Sequence, residues 1–161
     1  MILIAPYAKK LRNGLQNPKD YPWWPELIQR LESKGLLIVQ VGVEGEKQLV
    51  QDFRTNLSLV ALGDLVQKCS FWISVDSFFQ HFAWDCGKPG FVIWGPSDPR
   101  IFGHKENYNI WTGGKDCIDY QFGLWENVAL NNNRFPKVGK VISEINQEIF
   151  HTHYQGTFPP L

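Results

Sequence analysis

Asp76-Ser77 and His81 stand where an apolar run, residues 71–75, gives way to a helical pattern. Their types and spacing suit the handling of a phosphate. The Ser77 hydroxyl can donate to an oxyanion, and it falls where the first amides of a helix lack intrahelical partners. His81 follows four residues later on the same helical face, its Cβ tilted back toward the helix start. The helix dipole disfavours an imidazolium at that end, whereas a bound diphosphate favours one. The structural alternative is a plain cap from Asp76 or Ser77 and a packed ring at His81. A carboxylate facing a phosphate is repulsive, so Asp76 is expected to order the loop amides.

Other candidates lie in loops that follow apolar runs. Lys9, Lys10, Arg12 and Lys19 occupy the polar stretch 7–21. Arg12 offers a planar two-pronged donor, Lys10 is nearest the end of the preceding strand, and most such side chains are merely solvated. Glu44 closes Gly42-Val43-Glu44, with Glu46 nearby; an acid there is also an ordinary first-turn residue. Gly95-Pro96-Ser97-Asp98-Pro99 is a loop stiffened by two prolines, with Ser97 as its polar contact and Gly95, Pro96 and Pro99 as scaffold. Gly87 and Pro89 read as a helix stop. His151-x-His153 has a spacing that suits a metal, but no third ligand accompanies it and a tail is the simpler reading.

The elements that must position these groups alternate along the chain. Ile2–Ala5 predicts a buried strand, followed by the polar loop. A helix over 24–34 shows Leu27, Ile28 and Leu31 on one face and stops at Gly35. Residues 36–41 predict the clearest strand. A helix is expected over 46–53, then an extended piece near 57–60, then a helix with Leu62, Leu65, Val66 and Cys69 on one face. Strands are expected at 71–75, 91–94 and 108–111. Residues 113–133, rich in Gly and Asn, carry no clear period. A last helix over 137–150 places Val138, Val141, Ile142, Ile145 and Ile149 in one stripe. Strand and helix in turn predict a single α/β domain over 1–161: a Rossmann-like parallel sheet, helices on both faces, ligand at the C-terminal edge.

Composition narrows the partners. Sixteen basic and sixteen acidic residues balance, so nothing predicts electrostatic capture of nucleic acid or an anionic membrane. No apolar run reaches membrane-spanning length, and the N-terminal MILIAP is too short for a secretory core. Three widely spaced cysteines, Cys69, Cys86 and Cys117, fit reduced thiols of a cytoplasmic protein better than a disulfide framework. Seven tryptophans among 161 residues is a high count, and Trp23, Trp24 and Trp125 sit in polar or Pro-broken contexts that suggest aromatic surface awaiting cover.

Asp76-Ser77, His81-x-Ala83, Gly87-Lys88-Pro89 and Trp94-Gly95-Pro96-Ser97-Asp98-Pro99 together resemble the signature of glycosyltransferase family 9, which contains ADP-heptose:lipopolysaccharide heptosyltransferases. The pattern departs at Phe78, where the family has Gly. The resemblance covers the family's second, nucleotide-sugar-binding half and implies the C-terminal domain of a GT-B enzyme. It implies a nucleotide-diphosphate sugar held by Lys10 or Arg12 at the diphosphate, by Asp76, Ser77 and His81 at the helix start, and by Ser97 at the sugar-phosphate side. Glu44 matches a carboxylate that accepts two ribose hydroxyls. The implied reaction is metal- and cofactor-free sugar transfer to a hydroxyl acceptor, with the general base on the acceptor side, so no catalytic residue is assigned in this chain. A homodimer or a separate acceptor-domain subunit is the expected partner. A non-catalytic nucleotide-sugar binder and a hydrolase of a nucleotide-linked bond are the alternatives.

Overall fold

The apolar run after Met1 becomes β1 (Ile2–Ala5), every residue of which is buried. The two-residue period of a strand sends Ile2 and Ile4 to one face and Leu3 and Ala5 to the other. In the computed structural model, which describes residues 1–154 and the side chains through 149, this strand is the centre of a six-stranded sheet. The other strands are β2 (Ile38–Gly42), β3 (Asp52–Thr55), β4 (Trp72–Val75), β5 (Phe91–Ile93) and β6 (Tyr108–Ile110). All pair in parallel, in the order β3-β2-β1-β4-β5-β6. Leu3 lies opposite Val39 on one side and Trp72 on the other. The chain grows outward from β1 through β2 to β3, then returns to place β4 on the other flank. That reversal between β1 and β4 opens a crevice at their C-terminal ends.

The helices cover both faces, as expected. On one, α1 (Trp24–Glu32) and α5 (Val138–Tyr154) lay Leu27, Leu31, Val141 and Ile145 against Ile2, Ile4, Ile73 and Ile93. On the other, α2 (Leu59–Lys68) and α3 (Phe78–Asp85) pack Val66, Phe79 and Ala83 against Leu3, Val39, Trp72 and Trp94. Ser58 caps α2 by accepting from the Ala61 amide at 3.2 Å, and Gly87, at a φ of +73°, ends α3 as a glycine stop should. The short α4 (Pro99–Phe102) begins at Asp98, whose side chain accepts from the Arg100 amide. Residues 113–133 carry single 3-10 turns rather than a longer element. His151 and His153 fall where no side chain is described.

One expected element is absent. Residues 46–51 do not form the helix that their periodicity predicts, and 52–55 form edge strand β3 instead. The cause is Gln40, fully buried in β2. Its amide nitrogen donates to the Lys47 carbonyl at 3.0 Å, and its amide oxygen accepts from the Leu49 N–H at 2.7 Å. With those backbone groups claimed, 46–51 stays irregular and leads into the edge strand, and 57–60 becomes loop and the first turn of α2. The tryptophans also differ from expectation. Trp24 is 2% exposed, its indole N–H donating to the Pro6 carbonyl, and Trp23 lies under the Lys137 ammonium. Among the described residues the exposed aromatics are Phe78, Trp84, Tyr108, Tyr120 and Phe122, none of the three tryptophans expected there.

Gly95, directly after β5, is where backbone meets ring: a Cβ there would come within 2.4 Å of Phe135. Gly95→Ala is expected to lower stability by about 1–3 kcal/mol through overpacking, read as a fall in thermal unfolding midpoint. An unchanged midpoint would show that this loop is not packed against Phe135.

Candidate functional site

The loops after β1 and β2 and the start of α3 enclose two adjoining cavities at the C-terminal edge of the sheet. The first, about 540 Å³, has an apolar floor of Ala5, Val41, Leu57 and Leu62, with Glu44, Glu46, Arg54 and Asn56 around it. The second, about 510 Å³, is polar, walled by Asn17, Lys19, Asp76, His81, Trp125 and Glu126. Lys9, Lys10, Ser77 and Phe78 belong to both, so the start of α3 is the boundary between them.

At that boundary Ser77 occupies the N-cap position in extended conformation, but its side chain caps nothing. Its hydroxyl is buried without any hydrogen-bond partner. An unpaired buried hydroxyl beside free helix amides is an arrangement that an oxyanion satisfies. Asp76 departs from expectation. It does not order the loop amides; it ion-pairs with the Lys19 ammonium at 3.2 Å and accepts from the Gln80 amide at 3.4 Å. Both charged side chains are largely removed from solvent, at 17% and 8% exposure.

Of the four basic residues in the β1–α1 loop, Lys19 is therefore the one fixed at the start of α3, and its ammonium also sits 5.1 Å from the Trp125 ring. The loop directs it there through side-chain bonds. Asp20 accepts from the Ala8 amide at 2.8 Å, Asn17 donates to the Lys9 carbonyl, and the Lys19 amide donates back to Asn17. Lys10 donates to the Gly45 carbonyl at 3.1 Å and faces both cavities, whereas Arg12 is exposed at the rim of the second. In the sequence Arg12 stood out for its two-pronged donor and Lys10 for its closeness to the strand end; Lys19 has neither mark, and only the fold of the loop brings it in.

Glu44 is exposed on the rim of the first cavity, its amide donating to the Asn56 side chain at 3.2 Å. Glu46 reaches deeper. A Cβ on Gly42 would fall 1.9 Å from its carboxylate oxygen, so glycine is what admits it. Burial pushes the Glu46 carboxyl above the ordinary range, against the pull of the Val43 backbone and the Lys10 charge. Phe78 is 63% exposed and stacks on Phe82, placing a ring where the related signature has no side chain. Ser97 is fully buried and lines neither cavity, so the structure does not bring it to the other candidates. His81 faces the second cavity, with its pKa pushed down by partial burial and by His104, and pulled up by Asp76. Among the described residues no group of three or more His, Cys, Asp or Glu side chains converges as a metal would need. No described helix is long and apolar enough to cross a membrane.

This sheet order and crevice define a Rossmann-like half of the GT-B glycosyltransferase type. The model of glycosyltransferase family 9 (heptosyltransferase) matches residues 1–117 of the 161, and the chain belongs to that family. Among solved structures, the dodecameric iron-containing heptosyltransferase TibC in complex with ADP-D-beta-D-heptose aligns over 96% of this chain at a TM-score of 0.70 and 17% identity. The E. coli heptosyltransferase WaaC with ADP aligns over 91% at 0.67 and 18% identity. The family 9 glycosyl transferase of Veillonella parvula aligns over 94% at 0.70 and 15% identity. The chain spans 47%, 43% and 46% of those proteins, roughly half of each. A comparison with curated protein sequences gives no significant match.

Asp20 gives this loop a pH signature. Burial raises its pKa from 3.8 to about 7, aided by Glu46 and opposed by the Ala8 hydrogen bond and by Lys19. The folded protein thus holds this proton more tightly than the unfolded chain, so the stability it contributes is present at low pH and is lost as pH rises from about 4 to about 7. Asp20→Asn, which keeps an acceptor for the Ala8 amide, is expected to flatten that decline in urea unfolding measured across the range. An unchanged pH profile would contradict the assignment.

Proposed function

We propose that the two cavities together hold a nucleoside-diphosphate sugar and that the chain supplies the donor side of a glycosyl transfer. The observation that carries this is the unpaired Ser77 hydroxyl at an uncapped helix start, where the apolar and the polar cavity meet and Lys19 and Lys10 stand close. The nucleoside fits the first cavity, with Glu44 accepting from ribose hydroxyls. The diphosphate lies over Ser77 and the α3 amides, and the sugar extends into the second cavity toward His81 and Trp125. Arg12, at the rim of the second cavity, and Lys10 supply further positive charge to the diphosphate, and Asp76 acts by holding Lys19. An adenine nucleotide is the first choice, since two similar proteins are known with ADP or ADP-heptose bound.

In the transfer, an acceptor hydroxyl oxygen bonds to the anomeric carbon as that carbon's bond to the diphosphate oxygen breaks. The nucleoside diphosphate leaves with the electron pair, and the hydroxyl proton passes to a general base. The helix amides, Ser77 and Lys19 stabilise the charge on the leaving group, as fixed donors do for any developing anion. The base is assigned to the acceptor side, contributed by a second copy of the chain or by a separate acceptor subunit. One observation favours a second reading, binding without turnover: Asp76, the carboxylate adjoining Ser77, is already engaged by Lys19 and Gln80.

Replacing Ser77 by Ala or Lys19 by Met is expected to weaken ADP binding by about 1–3 kcal/mol each, the cost of a lost charge-assisted contact. Titration calorimetry reads this directly. Unchanged affinity in both variants would remove the diphosphate from the start of α3. Release of ADP from ADP-sugar only when an acceptor subunit is present would separate transfer from mere binding.

A further inference from the structure

The His81 imidazole is held from two sides. Its Nδ1 lies 2.9 Å from Nε2 of His104, and its Nε2 lies 3.3 Å from the amide nitrogen of Gln80. Which ring nitrogen carries the hydrogen is decided by Gln80, a fully buried residue. The Gln80 nitrogen also faces the Phe102 carbonyl at 3.1 Å and the Asp76 carboxylate at 3.4 Å, and its oxygen takes the Asn107 amide at 3.5 Å. Two partners that only accept fix the nitrogen toward them, and its two hydrogens are shared among three contacts, since an amide nitrogen donates and does not accept. A hydrogen on Nε2 of His81 would set donor against donor there, so Nε2 faces the amide with its lone pair, which leaves the hydrogen on Nδ1, toward His104.

His104 is built to receive it. Its ring stacks on Trp84 at 4.1 Å and 9°, and Trp84 is held in turn by Glu106. Its carbonyl accepts from the Asn109 side chain and the Asn107 amide. Asp76 and Lys19 are the charged groups that bear on His81 from the other side, with Lys9, Lys10, Arg12 and Glu126 around the same cavity.

We propose that His104 is a positioning residue that, with Gln80, locks His81 in its Nδ1–H tautomer, so that an anion bound at the start of α3 draws a proton onto Nε2. Neutral His81 has no N–H to offer a phosphate at that nitrogen; donation there requires the Gln80 contact to yield and a proton to be taken up. An anion raises the affinity of the ring for that proton, so binding strengthens as pH falls through the His81 midpoint and weakens above it. The proton-uptake half rests on the diphosphate reading above; the tautomer half does not. Partial burial and, after it, the neighbouring His104 lower the His81 pKa, which fits a ring kept neutral until a ligand arrives.

Ring nitrogen NMR of the ligand-free protein tests the tautomer. The wild type is expected to show His81 as the Nδ1–H form, titrating below an ordinary histidine. In His104→Ala the midpoint should rise and the Nε2–H form appear. In His104→Gln, whose amide oxygen can still accept, the tautomer should persist while the midpoint rises. An unchanged tautomer and midpoint in His104→Ala would overturn the proposal. Calorimetric titration with ADP in buffers of different ionisation heat then reads the coupling: net proton uptake is expected in the wild type and less in His104→Ala, and binding with none would refute it. Failure of every variant to bind ADP would overturn the anion site, while the ring spectra still decide the role of His104.

Discussion

The ion pair between Lys19 and Asp76 joins the two halves of the site. It ties the long β1–α1 loop to the start of α3, across the point where the sheet reverses direction. Both partners are largely desolvated, so neither charge is well served without the other. Remove Lys19, and Asp76 becomes a buried carboxylate beside a proposed anion site, repelling what the helix start would attract. With the pair intact, the carboxylate is neutralised and the ammonium is held in place before any ligand arrives. Fixing a charge in advance removes an ordering cost from binding.

What makes this pair possible is the packing behind it. The alternating side chains of β1 and β4 feed two separate cores, so both faces of these strands are dry and their C-terminal ends are rigid. Rigid strand ends fix where Ala5 hands over to the β1–α1 loop and where Val75 hands over to Asp76. The loop is then drawn together by Asp20, Asn17 and Trp24, each of whose side chains satisfies a backbone group that a long loop would otherwise leave bare. The cavities on either side differ in character for the same reason. The first has a floor of apolar strand and helix side chains with its charges at the margin; the second is walled largely by loops, with Lys19 and Asp76 in its lining.

The alternation of strand and helix was legible from apolar runs and helical stripes, and so was the parallel sheet with covered faces. The start of α3 was legible too, because Asp76-Ser77 after a buried run and four residues before His81 is a local pattern. Two things were not. Residues 46–53 have helical spacing, but the deciding interaction comes from Gln40, which a scan for periodicity reads as one polar residue in a strand. Lys19 looks like any solvated lysine, and its reach to Asp76 depends on bonds made within the loop across twelve residues. Ser97 shows the converse. Its place in a proline-stiffened motif suggested contact with ligand, yet it is fully buried and lines neither cavity. Local chemistry could be read off the chain; which side chain reaches a shared space could not.

A crystal structure of the chain with ADP bound tests the central claim most directly. The account predicts the nucleoside in the cavity beside Glu44, with phosphate oxygens within hydrogen-bonding distance of the Ser77 hydroxyl and the first amides of α3, and Lys19 still paired with Asp76. ADP bound at the opposite edge of the sheet, or at the C-terminal edge with its phosphates away from Ser77, would contradict it.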